Sequence, residues 1–403
     1  MDTPVRDAFN ARFDPALFAK LRQRLDALVG PVPFSVAETP LFLDAELRDA
    51  LASGAEALTS QLLAPKTLAA LRGSVPARYD VPGTTALPDC VQVDFALADG
   101  GDGRIVPRLV ELQAFPSLYA FETLLADAWS ETIAGEPGLA GPWTCIFDKD
   151  RATALDRVRR AILGGEDPRE VVLVDYAPER QKTVPDFVAT RALFGIDAVC
   201  VTKLEVEGRK LFRRVDGERI PVRRIFNRMV FDELEAKNVK VPFDWREPLD
   251  VTWCSHPNWY WIWSKYALPF LDHPTVPRAR LLSDMDARSL DLSRFVLKPL
   301  YSFAGTGVVV DVTMEAIDAI PVDARAGWLL QEKITYAEAI RAPKSVGGFG
   351  VKAEVRVMMI RDPQEDHLTT ILPLVRLSRG KLLGVDHNRD LNWVGASVGL
   401  WSQ

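Results

Sequence analysis

The sequence predicts an α/β (α+β) fold, and three observations lead to this prediction. Between residues 143 and 240, short apolar runs alternate with segments of helical periodicity, which is the pattern of a parallel sheet covered by helices. Residues 1–75 carry apolar side chains at three- and four-residue spacing, which is typical of packed helices. Residues 90–116 and 295–310 each contain two strand-like runs joined by turn residues, which predicts hairpins.

The composition limits the classes of function. The chain has 403 residues, enough for two or three domains, and a formal net charge of −6. That charge, without a long basic run, argues against a nucleic-acid partner. The first residues contain no apolar signal-peptide core and no run reaches membrane-spanning length, so we expect a cytoplasmic protein with no membrane partner. The cysteines stand far apart, which predicts reduced and buried thiols.

The N-terminal helices are predicted from Phe13 to Leu28 and from Ala45 to Leu63, with a Gly-Pro-Val-Pro break between them. They carry no recognisable chemistry, so we expect them to pack. The first hairpin follows, with Asp94 on one arm and Glu111 and Gln113 on the other. Period two places Glu111 and Gln113 on one face, and a buried acid there requires a cation against it. The alternative is an exposed edge hairpin.

The predicted α/β unit contains a buried strand at 171–175, a helix at 182–194 and a strand at 198–201. Arginines 223, 224 and 228 follow a predicted turn. They could hold an anionic substrate, or they could form a solvated basic face. Four tryptophans crowd residues 253–263, and their role as ligand contacts or core residues stays open. Lys265 comes directly after them and requires an aromatic face or an anion.

The second hairpin has a lysine at its mouth. An apolar run ends at Lys298, small residues including Gly305 and Gly307 turn the chain, and a Val-Val-Val run follows. Glycines allow backbone N–H groups to close over an anion, and a lysine supplies a point charge for phosphate. The loop is neither a P-loop nor a dinucleotide fingerprint, because no helix pattern starts there. A plain hairpin with a surface lysine is the alternative.

Two later segments add further candidate site residues. Residues 327–334 form a predicted strand that contains Gln331 and Glu332, and residues 351–360 alternate, with Lys352, Glu354 and Arg356 on one face. Together these segments resemble the ATP-grasp superfamily. The resemblance implies a nucleotide site with ATP as cofactor, Arg356 as the catalytic ligand of the transferred phosphoryl, and contacts from Lys265, Lys298, Ser302, Gly305, Thr306, Gly307, Gln331 and Glu332.

The usual C-terminal acidic strand of that superfamily is missing, and the first hairpin supplies its equivalent early in the chain. This order is similar to circularly permuted members, in particular glutathionylspermidine synthase-like proteins. The resemblance implies magnesium ligands at Asp94, Glu111 and Gln113, although Gln113 stands where the family has asparagine. It also implies a helical N-terminal segment (1–85), a metal-binding hairpin and helix (86–135), an α/β pre-ATP-grasp-like domain (136–250) and a nucleotide-binding domain (251–403).

The resemblance implies a carboxylate–amine ligase that forms an amide through an acyl phosphate, with small-molecule acid and amine substrates. Two alternatives share the fold, namely a non-catalytic nucleotide-binding protein and a phosphotransferase. A third alternative, outside the fold, is a hydrolase with a metal site at Glu354, Asp386 and Asp390. Neither substrate nor the oligomeric state follows from the sequence.

Overall fold

The computed structural model describes residues 1–139, 141–302, 305–380 and 391–402, and it has a mixed α/β fold. The helices are α1 (Thr3–Arg12), α2 (Pro15–Val29), α3 (Ala45–Leu63), α4 (Pro65–Arg72), α5 (Tyr119–Ile133), α6 (Arg151–Leu163), α7 (Val184–Phe194), α8 (Phe231–Ala236), α9 (Trp259–Ile262) and α10 (Met314–Asp318). The strands are β1 (Leu41–Phe42), β2 (Cys90–Asp99), β3 (Ile105–Gln113), β4 (Trp143–Thr144), β5 (Val171–Asp175), β6 (Asp197–Cys200), β7 (Glu205–Glu207), β8 (Lys210–Val215), β9 (Glu218–Val222), β10 (Arg224–Asn227), β11 (Thr252–Cys254), β12 (Ala279–Leu281), β13 (Phe295–Pro299), β14 (Trp328–Glu332), β15 (Ile340–Arg341), β16 (Gly350–Ile360), β17 (Thr369–Ser378) and β18 (Gly395–Ser402).

An eight-stranded sheet joins the two ends of the chain. Its main path runs β1-β18-β17-β16-β2-β3, with β15 paired to β16 and β4 paired to β18. The early hairpin β2–β3 is therefore hydrogen-bonded beside strand β16, which comes about 240 residues later in the chain. The apolar face of this sheet lies against helix α3. Gly54 of that helix has no side chain, and the Phe95 ring packs so close to it that a Cβ atom at this position would lie 3.4 Å from the ring. The opposite face, called the polar face, carries charged side chains from β2, β3, β16 and β17.

A parallel four-stranded sheet, in the order β11-β10-β5-β6, confirms the α/β unit that the alternation of runs predicts. Strands β5 and β10 end side by side, at Asp175 and Asn227. Two three-stranded antiparallel sheets complete the fold, β12-β14-β13 and β7-β8-β9. The carboxyl ends of the parallel strands are a common place for ligands in open α/β sheets.

The second hairpin differs from its prediction, whereas the cysteines are buried as predicted. The predicted Val-Val-Val arm is reduced to a single bridge between Val309 and Leu297. The tryptophans of residues 253–263 are at most 7% exposed, so they pack in the core. All four cysteines are buried. Among the described helices, none has the length and apolar character needed to cross a bilayer.

Helix α5 contains a buried acid that lowers stability. Glu122 is fully buried, neither of its carboxyl oxygens has a hydrogen-bond partner among the residues that the structure describes, and burial raises its pKa well above the ordinary value. The folded protein therefore keeps a proton that the unfolded chain releases above about pH 4.5, so stability falls as the pH rises through that value. At neutral pH, the buried carboxyl group therefore lowers the free energy of unfolding.

Glu122→Gln should raise the free energy of unfolding at pH 8 by about 2 kcal/mol and flatten its decline between pH 5 and pH 8. Urea unfolding at both pH values measures this. Glu131→Gln is the matched control, because Glu131 lies on the same helix with its side chain 66% exposed. Equal slopes against pH for the wild type and Glu122→Gln would contradict the assignment.

Candidate functional site

The polar face of the eight-stranded sheet carries a row of charged side chains. Asp94 in β2 lies opposite Glu111 in β3 and opposite Arg356 in β16, so the three side chains share this face. Asp94 Oδ1 accepts from Arg356 Nε at 2.6 Å, and Oδ2 accepts from Arg356 Nη2 at 2.8 Å. Arg376 in β17 also donates to Oδ2. Asp94 is therefore the centre of a buried ion-pair network.

A β-bulge beside this row binds the lysine of the second hairpin. The register of β2 against β3 slips next to Asp94, so that Val110 is the extra residue. Lys298 Nζ donates to the Val110 carbonyl at 3.0 Å and to Gln331 Oε1 at 2.6 Å. Gln331 in turn donates to the Leu109 carbonyl at 3.1 Å. The bulge thus frees two carbonyls that fix the strand-end lysine against the early hairpin.

Lys265 reaches the same region from a third segment. It begins a 3₁₀ turn at Lys265–Phe270, where Ser264 Oγ accepts from the Tyr266 N–H at 3.2 Å. Its Nζ lies 3.2 Å from Glu111 Oε2 and donates to the Ser302 carbonyl at 2.7 Å. Its side chain is 7% exposed, so the ammonium is held between the early hairpin and the start of the glycine loop. Two lysines far apart in sequence therefore meet at one carboxylate region.

These contacts shift the pKa values of the charged groups. Burial lowers the pKa of Lys298 to about 8, and Glu111 partly opposes this shift. Burial would raise the pKa of Glu111, but the Lys265 ammonium holds it below its ordinary value. Burial would likewise raise the pKa of Asp94, and its two guanidinium partners hold it low. Both acids are therefore ionised at neutral pH, whereas Lys298 begins to lose its proton as the pH approaches 8.

Two cluster residues, Glu354 and Arg376, were not assigned to this site from the sequence. Glu354 and Arg376 are cross-strand partners in β16 and β17, with Arg376 Nη2 at 3.4 Å from Glu354 Oε2. Tyr336 also donates to Glu354, and burial raises the pKa of this acid against the effect of Arg376. The alternation along β16 already placed Glu354 on the face of Arg356. The contribution of Arg376 depends on strand pairing, which periodicity does not show.

Other predicted residues lie outside this cluster or serve it indirectly. Gln331 is 1% exposed and its side chain orients Lys298, and its contact with a nucleotide stays a prediction. Glu332 lies at the end of β14, where its Oε2 accepts from the Arg278 N–H at 3.3 Å. Gly305 and Gly307 adopt φ of 76° and 75°, the left-handed region in which glycine is favoured, and Thr306 is exposed between them. Residues 303, 304, 386 and 390 lie outside the described residues, and with them most of the proposed hydrolase site.

The three candidate arginines lie at different positions relative to strand β10 and have different partners. Arg223 is exposed and donates to Glu170 Oε2 at 2.8 Å. Arg224 caps helix α6, donating to the Ile162 and Ala161 carbonyls at 2.9 Å each. These two residues therefore have structural partners away from the cluster. Arg228 lies past the end of β10 and lines the cleft described next.

A cleft of about 700 Å³ separates the charged face from the carboxyl ends of the parallel strands. One wall contains Glu111, Gln113, Arg356 and Arg376. The facing wall is built from the ends of β5 and β10 and from helix α8, and includes Asp175, Tyr176, Lys182, Thr183, Arg228, Glu233 and Lys237. No sequence pattern indicates that these two walls face each other, because the walls belong to separate sheets.

Arg228 has a charged partner, whereas Asp175 accepts a hydrogen bond from a backbone N–H group. Arg228 is 5% exposed at its side chain and pairs with Asp186 at 3.0 Å. Asp175 accepts from the N–H of the adjacent Tyr176 at 2.7 Å. Burial raises the pKa of Asp175 to about 6, against the effect of Arg228. Asp175 is thus a cleft acid that can exchange a proton near neutral pH.

The donor set fits a magnesium ion that is shared with phosphate oxygens. Across the described ranges, no three His, Cys, Asp or Glu side chains converge as a metal cage. Magnesium in proteins commonly takes only one or two carboxylates, with phosphate and water as further ligands. Glu111 and Gln113 meet that requirement at the cleft wall. Gln113 Nε2 donates to Gln92 Oε1 at 2.8 Å, which leaves the Gln113 carbonyl oxygen available.

Comparison with known proteins adds a likeness of fold. No protein-family model matches the chain, and no curated protein matches it. Among solved structures, the chain is similar to a glutathione synthetase-like effector from Globodera pallida in its apo form. The two are 13% identical, with a TM-score of 0.58, over 92% of this chain and 96% of that chain. The likeness shows a shared mixed α/β fold.

Proposed function

We propose that the chain is a circularly permuted ATP-grasp enzyme, similar to glutathionylspermidine synthases, that joins a small carboxylate and an amine with ATP and magnesium. The observation that carries the proposal is the meeting of Lys265 and Lys298 at the early hairpin that holds Glu111. The pairing of that hairpin with β16 supports the permuted order. The synthetase-like name of the structural neighbour is consistent with this function.

The charge of the cluster suits a polyphosphate. The carboxylates of Asp94, Glu111 and Glu354 face a larger set of cations, namely Lys265, Lys298, Arg356 and Arg376. We propose that the lysines and arginines bind the phosphates and stabilise the charge that develops when the terminal phosphoryl is transferred. Glu111 and Gln113 would hold magnesium, which neutralises phosphate charge when bound.

The reaction would proceed in two steps. A substrate carboxylate oxygen attacks the terminal phosphorus of ATP, a C–O–P linkage forms, and the bridging P–O bond breaks with its electrons leaving on ADP. The amine lone pair then attacks the acyl carbon, a C–N bond forms, and phosphate leaves with the C–O bonding electrons. We assign to Asp175 the binding of the amine and the acceptance of its proton, because it faces the charged wall with a pKa of about 6.

A hydroxylamine trap tests this function. With magnesium, ATP and a panel of amino acids, small peptides and other carboxylic acids, the protein should release ADP and convert the active acid into a hydroxamate. The physical reason is that an acyl phosphate reacts with any small nucleophile that reaches it. ADP release without a hydroxamate, on a hydroxyl acceptor, would instead indicate a phosphotransferase. No ADP above background across acids, amines and alcohols would favour a non-catalytic nucleotide-binding protein.

The same assay distinguishes loss of amine binding by Asp175 from a general loss of activity. Asp175→Asn should reduce amide formation with the true amine roughly 100-fold, the scale of a lost general base, while hydroxamate formation falls much less. Hydroxylamine needs no carboxylate to bind its charge, because it is a neutral nucleophile. Glu233→Gln is the control on the same cleft wall, where Glu233 already pairs with Lys237 at 3.0 Å. Equal losses of amide and hydroxamate in Asp175→Asn would contradict the assignment.

A further inference from the structure

Asp94 differs from the other two residues predicted to bind magnesium. Its side chain is 1% exposed, and its two oxygens accept three N–H groups from Arg356 and Arg376. Glu111, by contrast, has one ammonium partner at 3.2 Å and a side chain that is 21% exposed. Gln113 lines the cleft and is engaged through its amide nitrogen. Within the described part of the chain, three hydrogen bonds thus occupy most of the lone pairs of Asp94, whereas Glu111 and Gln113 each keep oxygen lone pairs for a further ligand.

Coordination by Asp94 would remove the partner of two guanidinium groups. Arg356 is 8% exposed as a residue, and a buried charge that loses its partner is strongly unfavourable. Magnesium also requires close, nearly octahedral oxygen contacts, which three charge-assisted hydrogen bonds to the same carboxylate obstruct. The geometry therefore favours the guanidinium groups over a metal at Asp94.

The arginines, in turn, depend on Asp94. Arg356 and Arg376 come from neighbouring strands, and both line the cleft wall. Two guanidinium groups repel each other unless an anion lies between them, and Asp94 supplies that anion. Its two-point contact with Arg356 also fixes the plane of that guanidinium. A planar fork held in this way matches phosphate oxygens better than a freely rotating side chain does.

We propose that Asp94 is a positioning residue, which holds Arg356 and Arg376 together as a clamp for phosphate oxygens, and that it does not coordinate magnesium. We call Arg356, Arg376 and Asp94 the arginine clamp. The identity of the phosphate ligand as a nucleotide rests on the proposed function, while the clamp itself requires only a chain of phosphates.

Calorimetry with Asp94→Asn and Glu111→Gln tests this assignment, using tripolyphosphate and ADP without metal and then Mn²⁺ as a probe of the ADP complex. Asp94→Asn should weaken metal-free tripolyphosphate and ADP binding roughly ten-fold or more, since truncating a buried charge pair has effects of this size. It should change the Mn²⁺ affinity of the ADP complex by less than about three-fold. Glu111→Gln should lower that Mn²⁺ affinity roughly 10- to 100-fold, the scale of a damaged metal site.

The clamp is overturned if Asp94→Asn lowers Mn²⁺ affinity as far as Glu111→Gln does while metal-free tripolyphosphate binding is unchanged. If Asp94→Asn does not fold, the same binding measurements on Arg376→Gln distinguish the two roles of Asp94. The clamp predicts weaker tripolyphosphate binding with unchanged Mn²⁺ affinity. A metal-ligand role for Asp94 predicts tighter Mn²⁺ binding, because one guanidinium no longer competes.

The outcomes also separate the clamp from the proposed function. Tripolyphosphate binding that depends on Asp94, without ADP binding, would retain the clamp and overturn the nucleotide function. Equal ADP affinity in the wild type and Asp94→Asn would retain nucleotide binding and overturn the clamp. A wild-type protein that binds neither polyanion would overturn both.

Discussion

Glu111→Gln is expected to abolish ADP release with the acid and amine that support turnover. Glutamine has nearly the same shape, but it lacks the negative charge that would hold the metal and that pairs with Lys265 at 3.2 Å. Loss of a preorganised charge at a phosphoryl-transfer site reduces turnover by roughly 100- to 1,000-fold. A coupled assay of ADP release measures the effect.

The fold should persist in this variant. The amide oxygen of glutamine can still accept from Lys265, so the free energy of unfolding should fall by only about 1–2 kcal/mol. Glu131→Gln, an exposed carboxylate on α5, controls for the loss of one acidic charge and should retain full turnover. Normal ADP release from Glu111→Gln, once a substrate is known, would show that the metal assignment to Glu111 is wrong.

Lys298 should make nucleotide binding depend on pH. Because burial lowers its pKa to about 8, the free protein increasingly has a neutral lysine above that pH. Phosphate binding requires the charged form, so above about pH 8 binding must take up a proton, and metal-free ADP affinity should fall up to ten-fold for each further pH unit. Below that pH, the lysine is already protonated and its contribution should be constant.

Two substitutions separate the charge of Lys298 from its other contacts. Lys298→Ala should bind ADP at least roughly ten-fold more weakly at pH 7, and with little dependence on pH between 7 and 9.5. Lys298→Arg should keep a positive charge at every pH in this range, so any residual affinity should also be flat. Calorimetric titrations from pH 7 to 9.5 measure all three proteins. A wild-type affinity that stays constant through pH 9 would contradict this role for Lys298.

Elements with local signals follow from the amino-acid pattern alone. Helix α3 runs from Ala45 to Leu63 as predicted, because its apolar spacing continues until Pro65 and its start is capped by Asp44, whose Oδ1 accepts from the Leu47 N–H at 2.9 Å. Strand β5 at 171–175 also has its predicted limits, since a run of buried aliphatic residues ends at an acid. Period two along β2, β3 and β16 likewise predicts which side chains share a face.

Which of those faces meet depends on long-range strand pairing. Arg356 binds Asp94 across a separation of 262 residues, and a register shift of one residue would have turned either side chain to the apolar face. Arg224 and Arg228 lie in one short run, yet the first caps a helix and the second lines the cleft, because they stand at opposite ends of β10. Periodicity depends on neighbours in the chain, whereas strand pairing depends on the energy of the whole packed sheet. The sequence therefore predicts several charged residues of the cluster, but not the contribution of Arg376 and not which residues pair.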